Sequence, residues 1–364
     1  MAADTPRSSD LVRELIDALG PASVRVGDAI EARHQTDWSG AAPVRPMAWV
    51  RPTDTAGVAA TLRLCHAHRV PVVPQGGRTG RAGGAVPLAH GVALSRERMN
   101  GLEPVDGAAA TLTAQAGVTL QTAQEAAAAA GFQLGVDLGA RGSCQIGGNL
   151  ATNAGGNGVL QFGMMREQVL GLEVVLADGT VLDMMRPMLK NNTGYDLKHW
   201  FVGSEGTLGI ITRAILRLHP AGLASATALA ALPDYAAAVG LLRHLQAAFA
   251  GALGAYELMW EDFFTTSLAW SQAESPFGRS HPFTVLVQVS GRDEAVLAER
   301  LQRVLAQAME QGQIRDAVLA QSPAQARALW RIREASGEFP ARFDPINFDI
   351  SLPVGDIGAF AETC

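Results

Sequence analysis

Cysteine is scarce. The chain has three, Cys65, Cys144 and Cys364, in 364 residues. They are too few and too scattered for a disulfide framework or a zinc site, and they point to a reducing compartment, the cytoplasm. No run of Lys and Arg stands out, and the formal charge is −6 with a pI near 5.8. That lacks the basic footprint of a nucleic-acid binder. No apolar run reaches the length of a membrane span. The first residues are polar, without the apolar centre of a signal peptide. The histidines form no ligand set. His66 and His68 stand two apart on an expected helix and point away from each other. His199, His219, His244 and His281 are isolated and read as structural or surface groups.

What remains is an ordinary globular balance, 48% hydrophobic and 18% charged, on a chain long enough for two domains. Glycine is plentiful, at 39 residues, and many of these fall into three clusters instead of spreading along linkers. The first cluster is Pro74-Gln75-Gly76-Gly77-Arg78-Thr79-Gly80, continuing through Gly83-Gly84 to Pro87. It follows a short apolar run at 70–73 that reads as a buried strand. Glycines let a ligand touch the backbone directly. Consecutive N–H groups in such an arc form an anion nest, to which Thr79 can add a hydroxyl, so a phosphate or pyrophosphate is the natural guest. The arc is not a Rossmann fingerprint, since no helix opens after Gly80, nor a Walker loop, since it holds no lysine.

The second cluster runs from Gly142-Ser143-Cys144 through Gly147-Gly148-Asn149-Leu150-Ala151-Thr152-Asn153 to Gly156. Asn149, Thr152 and Asn153 offer neutral donors and acceptors suited to a polar ring or ribityl chain, the alternative being a tight turn in a β-rich domain. The third is Lys190-Asn191-Asn192-Thr193-Gly194-Tyr195-Asp196-Leu197, leading to Gly203-Ser204-Glu205-Gly206-Thr207-Leu208-Gly209-Ile210-Ile211.

Around these lie local signals. Ser8-Ser9-Asp10 is expected to cap a helix ending at Gly20-Pro21, and Thr53-Asp54 a helix running to about His68. Strands are expected at 49–50, 91–94 and 110–115, with an alanine-rich helix from Thr119 to Gly131. Two strands flank Asp178-Gly179 as a hairpin, and another spans 210–218. Beyond Pro220 the glycine clusters vanish. Strands at 225–232, 255–260, 282–290 and 314–320 alternate with helices at 233–249 and 293–311. That is β-α-β-β-α-β, the ferredoxin-like order. Ser322-Pro323 opens a further helix, and residues 348–353 read as a last strand. We place the domain boundary near 221, giving domains 1–221 and 222–364.

The three clusters, in this order and spacing, resemble the PCMH-type FAD-binding domain of the vanillyl-alcohol oxidase superfamily. The nearest branch looks like the FAD-linked D-2-hydroxyacid dehydrogenases. Tyr256-Glu257-Leu258-Met259-Trp260 and Leu329-Trp330-Arg331-Ile332-Arg333-Glu334 resemble that branch's cap domain. The resemblance implies an α+β chain: an FAD domain of two α/β subdomains, then a ferredoxin-like cap. It implies that Pro74, Gln75, Gly76, Gly77, Arg78, Thr79 and Gly80 hold the FAD pyrophosphate. Ser143, Gly147, Asn149, Thr152 and Asn153 would line the flavin and its chain, and Glu205, Gly206 and Ile211 its adenosine or isoalloxazine side. Arg333 would clamp the carboxylate of a 2-hydroxy acid, as a guanidinium does well, and position 347 would touch the same substrate. No histidine lies in the glycine arc or the second cluster, which favours non-covalent FAD. The expected reaction is oxidation of a D-2-hydroxy acid of the lactate, glycolate or 2-hydroxyglutarate class to the 2-oxo acid. Electrons would pass to a quinone, a cytochrome or an electron-transfer flavoprotein, and a homodimer is compatible.

The pattern breaks in three places. Asn347 stands where the branch often carries a lysine, and Gly337 where 2-hydroxyglutarate dehydrogenases have a threonine contact. Members of the branch continue with a His-x-Gly-Asp-Gly-Asn-x-His segment that nothing here matches. The chain stops at Cys364 in what reads as a helix begun near Asp356, so the cap reads as cut short. A divalent metal is then expected only if the native chain extends beyond 364, and no residue is assigned as the catalytic base. Two alternatives follow: an FAD-binding subunit that is catalytically incomplete, and another alcohol oxidase or reductase on the same fold.

Overall fold

Residues 6–222, 224–271, 273–339, 343 and 350–364 are described by a computed structural model. Backbone proximity divides the chain into two units: residues up to Asn157 with Phe162–Ala221, and Gly158–Gln161 with the chain from Gly222 onward.

The first unit starts with a helix, Pro6–Leu19, that begins before Ser8. The expected Ser8-Ser9-Asp10 cap is therefore inside the helix, because Pro6 sits comfortably in a first turn, where no N–H is missed. Four short strands follow: β1 (Val24–Arg25), β2 (Ala48–Val50), β3 (Val72–Gln75) and β4 (Val92–Ser95). They order as β1-β2-β4-β3, with β2, β4 and β3 parallel. The helix Thr55–His68 crosses from β2 to β3, capped as expected by Asp54, whose carboxylate accepts from Gly57 N at 2.8 Å. Arg69 ends it in the left-handed region, and Val70 N bonds back to Cys65 O. That closure uses up Val70, so β3 starts two residues later than its apolar run suggests and carries on through Pro74 and Gln75.

A second sheet of the same unit holds β5 (Thr111–Gln115), β7 (Val169–Val175), β8 (Val181–Met184) and β9 (Ile210–Arg217), ordered β5-β9-β7-β8 and antiparallel throughout. The pair β6 (Phe132–Gln133) and β10 (His219–Pro220) stands apart. The hairpin between β7 and β8 turns through Gly179 at φ +86°, the left-handed geometry its Asp-Gly sequence promises. The helix Leu120–Ala129, capped by Thr119, closes over Leu112, Leu120, Ala123, Ile146, Leu150, Leu172 and Ile211, all buried. Val58, Leu62, Leu94, Met99, Val175 and Ile210 join the two sheets in one smaller cluster.

In the second unit β11 (Ala224–Leu232), β12 (Leu253–Trp260), β13 (Phe283–Gly291) and β14 (Asp316–Leu319) order as β12-β13-β11-β14, all antiparallel. This is the ferredoxin-like arrangement. Alternation along β11 sends Ala228, Ala230 and Leu232 to the helices Tyr235–Phe249 and Glu294–Glu310, and Leu229 and Ala231 to the other face. That other face is covered by Pro323–Glu334 and by a helix outside the ferredoxin-like pattern, Glu261–Ser271. Its signals were local: two acids in the first turn, then Phe264 and Leu268 on one side. The expected strand at 348–353 falls partly outside the described residues, and 350–353 form no regular element. The chain's last helix, Ile357–Thr363, follows Asp356. No helix among the described residues is long and apolar enough to cross a membrane.

Candidate functional site

Parallel β3 and β4 end side by side, with Gln75 registered against Ser95 and Arg96 N bonded to Gln75 O at 3.2 Å. The first glycine arc leaves from this edge, the carboxyl end of the strands, where open α/β sheets hold ligands. Gln75 is fully buried, and its Nε2 donates to His34 O and Ala85 O, both at 2.9 Å. One amide therefore pins the far side of the arc. Asp37 accepts from Ala85 N at 3.2 Å, and Trp38 N donates to Gly80 O at 3.1 Å. Arg78 holds a left-handed φ of +56° within the arc, and burial pulls its guanidinium below its ordinary pKa.

The structure brings the three clusters together. A Cβ on Gly77 would stand 2.0 Å from Ser143 O, and one on Gly76 3.5 Å from Gly148 Cα. The first and second clusters thus lie backbone to backbone. A Cβ on Gly206, at φ +82°, would meet Pro74 Cγ at 2.5 Å, and Glu205 N donates to Ala151 O at 2.9 Å. The third cluster therefore touches both others. Arg166 fastens this corner from behind: its Nη1 donates to His199 O at 2.6 Å and its Nη2 to Val202 O at 2.5 Å.

Beneath the glycines lie buried polar atoms with no protein partner: Gln75 Oε1, Gln145 Oε1, Arg96 Nε and both ring nitrogens of His34. Native proteins pair such atoms almost everywhere, so a group of them beside a side-chain-free wall marks a ligand site. A nucleotide whose phosphates take the Arg96 donor and whose polar groups donate to the amide oxygens fits that wall. Arg96 was not among the sequence-derived candidates. Its signal was its place directly after an all-buried parallel strand, where a charged side chain leaves along the ligand edge.

The remaining expected residues sort by what their side chains do. The second cluster is not a plain turn: it opens the short helix Ile146–Ala151, in which Gly147 lies close against Ala116. Asn149 is buried and donates to Cys144 Sγ at 3.5 Å. Thr152 Oγ1 donates to Gly148 O at 3.1 Å. Asn153, at φ +49°, accepts from Arg166 N at 2.9 Å. These groups therefore brace the loop itself. Ile211 buries its side chain in the core, and its carbonyl faces the Arg96 guanidinium at 3.5 Å. In the second unit Arg333 Nε donates to Glu257 Oε2 at 2.6 Å, with the guanidinium 6.0 Å from the Phe263 ring centre. Asn347 lies outside the described residues. No group of three or more His, Cys, Asp or Glu among the described residues is placed to hold a metal ion.

His34 gives this site a pH dependence. Its ring is 0% exposed and tilted on Trp49, centroids 3.9 Å apart. Burial, then the charge of Arg78, lowers its pKa to about 4. A histidine depressed in the folded state binds its proton more readily when unfolded. Stability is therefore full above the ordinary histidine pKa and is lost as pH falls towards 4, at up to about 1.4 kcal/mol per pH unit. Urea melts between pH 7 and 4.5 should show a slope that His34→Leu flattens; identical slopes would mean the ring is hydrated.

Comparison with known proteins agrees with this geometry. A family profile described as an FAD binding domain matches residues 46–185, and one described as the C-terminal domain of FAD-linked oxidases matches 223–364. A D-2-hydroxyglutarate dehydrogenase of Xanthomonas citri pv. viticola is 41% identical over 332 residues, 90% of this chain and 69% of its own. One from Stutzerimonas stutzeri is 34% identical over 97% of this chain and 75% of its own. The mitochondrial D-2-hydroxyglutarate dehydrogenase of Bos taurus is 38% identical over 85% of this chain and 58% of its own. Against two rice relatives the chain spans 63% of their length. Among solved structures, an alkyldihydroxyacetonephosphate synthase superposes with TM-score 0.72 at 22% identity, covering 92% of this chain and 65% of that one. A substrate-bound p-cresol methylhydroxylase gives 0.71 at 17%, covering 91% and 70%. The two family profiles and the identity to these relatives together make the chain a member of the FAD-linked D-2-hydroxyacid dehydrogenase family.

Proposed function

We propose that the chain holds FAD non-covalently and oxidises a D-2-hydroxy acid to the 2-oxo acid. The observation that carries this is the convergence of three glycine clusters on buried polar atoms without protein partners. When bound, the flavin accepts a hydride from the hydroxyl-bearing carbon. The chain's own part is to bind and orient. In this reading residues 1–221 form the cofactor half, with the backbone of residues 76–80 on the pyrophosphate, and residues 222–364 form the substrate half. Arg333 keeps Glu257 on its Nε, which fixes the plane of the guanidinium, and offers its Nη donors to the substrate carboxylate. Asn347 supplies a neutral amide to the same substrate. A quinone, cytochrome or electron-transfer flavoprotein as acceptor, a homodimer and a cytoplasmic location belong to the same proposal.

The test is an anaerobic titration of the purified chain with D- and L-2-hydroxy acids, following the visible flavin band. The names of the relatives put D-2-hydroxyglutarate first in the panel, with D-lactate and glycolate beside it. Bleaching by a D-acid and not its L-isomer is the expected result. A yellow protein that no acid bleaches would replace this reading with that of a flavin-binding unit lacking a proton acceptor. A protein that takes up no flavin would remove the cofactor assignment as well.

A further inference from the structure

We propose that the Arg96 guanidinium is the buried counter-charge for an anionic oxygen of the flavin nucleotide, an inference that rests on the FAD reading above. Arg96 is 3% exposed, yet no carboxylate among the described residues lies in ion-pair range of it. Its Nε has no partner, and Nη1 reaches only Ile211 O, at 3.5 Å, the outer limit of a hydrogen bond. A buried charge without a partner is among the costliest groups a protein can carry. Neutral carbonyls offset that cost poorly, whereas an anion in contact offsets it well.

The position is specific. Arg96 leaves the sheet edge beside the arc, and a Cβ on Gly76 would stand 3.3 Å from its Nη2. A Cβ on Gly147 would stand 2.8 Å from its Nη1. The guanidinium therefore lies against both walls of the site at the two places where the sequence has no side chain. Gln145 Oε1, also unpartnered, would lie 3.6 Å from the same Gly76 Cβ. Residues at 76 and 147 with side chains would screen the cation from the site, and glycine at both leaves it open. FAD brings two sources of anionic oxygen, the pyrophosphate and the isoalloxazine ring, which gains negative charge on reduction.

Arg96→Met keeps the length of the side chain and removes its charge. Flavin-free protein should become more resistant to urea, because an unpaired buried cation is gone. FAD should bind at least about thirtyfold more weakly by fluorescence titration, as befits loss of a desolvated charge partner. Arg96→Lys, folded and flavin-free, should keep most of the FAD affinity. If the pyrophosphate is the partner, riboflavin, which lacks phosphate, should bind both proteins alike. If the ring is the partner, riboflavin affinity should fall with that of FAD and the midpoint potential should move to a more negative value. Equal FAD affinity and equal potential in Arg96→Met and the unmutated protein would overturn the proposal. So would a flavin-free Arg96→Met less stable than the unmutated chain, or an Arg96→Lys that loses as much affinity as Arg96→Met. An unmutated chain that binds no FAD would instead remove the cofactor reading on which the proposal stands.

Discussion

Gly77→Ala should yield a protein with no bound flavin. The added Cβ would stand 2.0 Å from Ser143 O, 2.7 Å from Ser143 C and 2.9 Å from Cys144 Cα. All three are backbone atoms, so no rotamer can move aside, and the first two glycine clusters must part. Overpacking of this kind costs on the order of 3 kcal/mol or more. Part of that appears as a lowered melting temperature and the rest as a widened site. Gly240→Ala, in the helix Tyr235–Phe249 and outside all three clusters, is the control, because no atom lies within 4 Å of where its Cβ would stand and its φ is not in the left-handed region. Absorbance at the flavin band per mole of purified protein, with a thermal melt, separates the two. Full flavin content in Gly77→Ala would mean that the two clusters do not meet as described.

The second large effect is expected in the cap. Arg333→Ala should keep its flavin while kcat/KM for the preferred hydroxy acid falls by about 30-fold to 1000-fold. That is the range for removing one partner of a desolvated charge-assisted hydrogen bond, about 2–4 kcal/mol at 1.4 kcal/mol per decade. Arg333→Lys should recover little of the loss. An ammonium is a point donor and cannot hold Glu257 and a substrate carboxylate in one plane as a guanidinium can. Steady-state kinetics with the acid that bleaches the unmutated protein gives the answer. Unchanged kinetics in a fully flavinated Arg333→Ala would sink the clamp.

Much of this architecture is written in local signals. Asp54 caps its helix, Asp178-Gly179 turns its hairpin and Ser322-Pro323 starts its helix as their chemistry requires. The ferredoxin-like order follows because each strand and helix of the second unit shows its own period. Glu261–Ser271 was missed although its acids and phenylalanines were in plain view, because the β-α-β-β-α-β pattern closes without it. The site divides differently. Its glycines were legible as close-approach positions, and the resemblance supplied what they approach. What each side chain does once folded was not legible. Thr152 and Asn153 look like ligand donors in one dimension; in the fold Thr152 Oγ1 also donates to Gly148 O and Asn153 accepts from Arg166 N, 13 residues on, contacts that only the folded backbone sets. In the sequence Arg96 is one charge in the run Arg96-Glu97-Arg98, with nothing to single it out. Only the register of β3 on β4 places it under two glycine walls, and register is a tertiary property.

The order in which the site comes together has a kinetic meaning. Its walls derive from segments near residues 76, 147 and 206, and contacts between such distant stretches form late, after loop-closure entropy has been overcome. No fragment that has folded only its first sheet can present the cofactor surface. Flavin should therefore leave the early folding steps untouched and act on the finished unit, slowing its unfolding and raising its apparent stability in proportion to the logarithm of ligand concentration. Flavin retained by the protein in a refolding experiment would then be a clock for completion of the whole first unit.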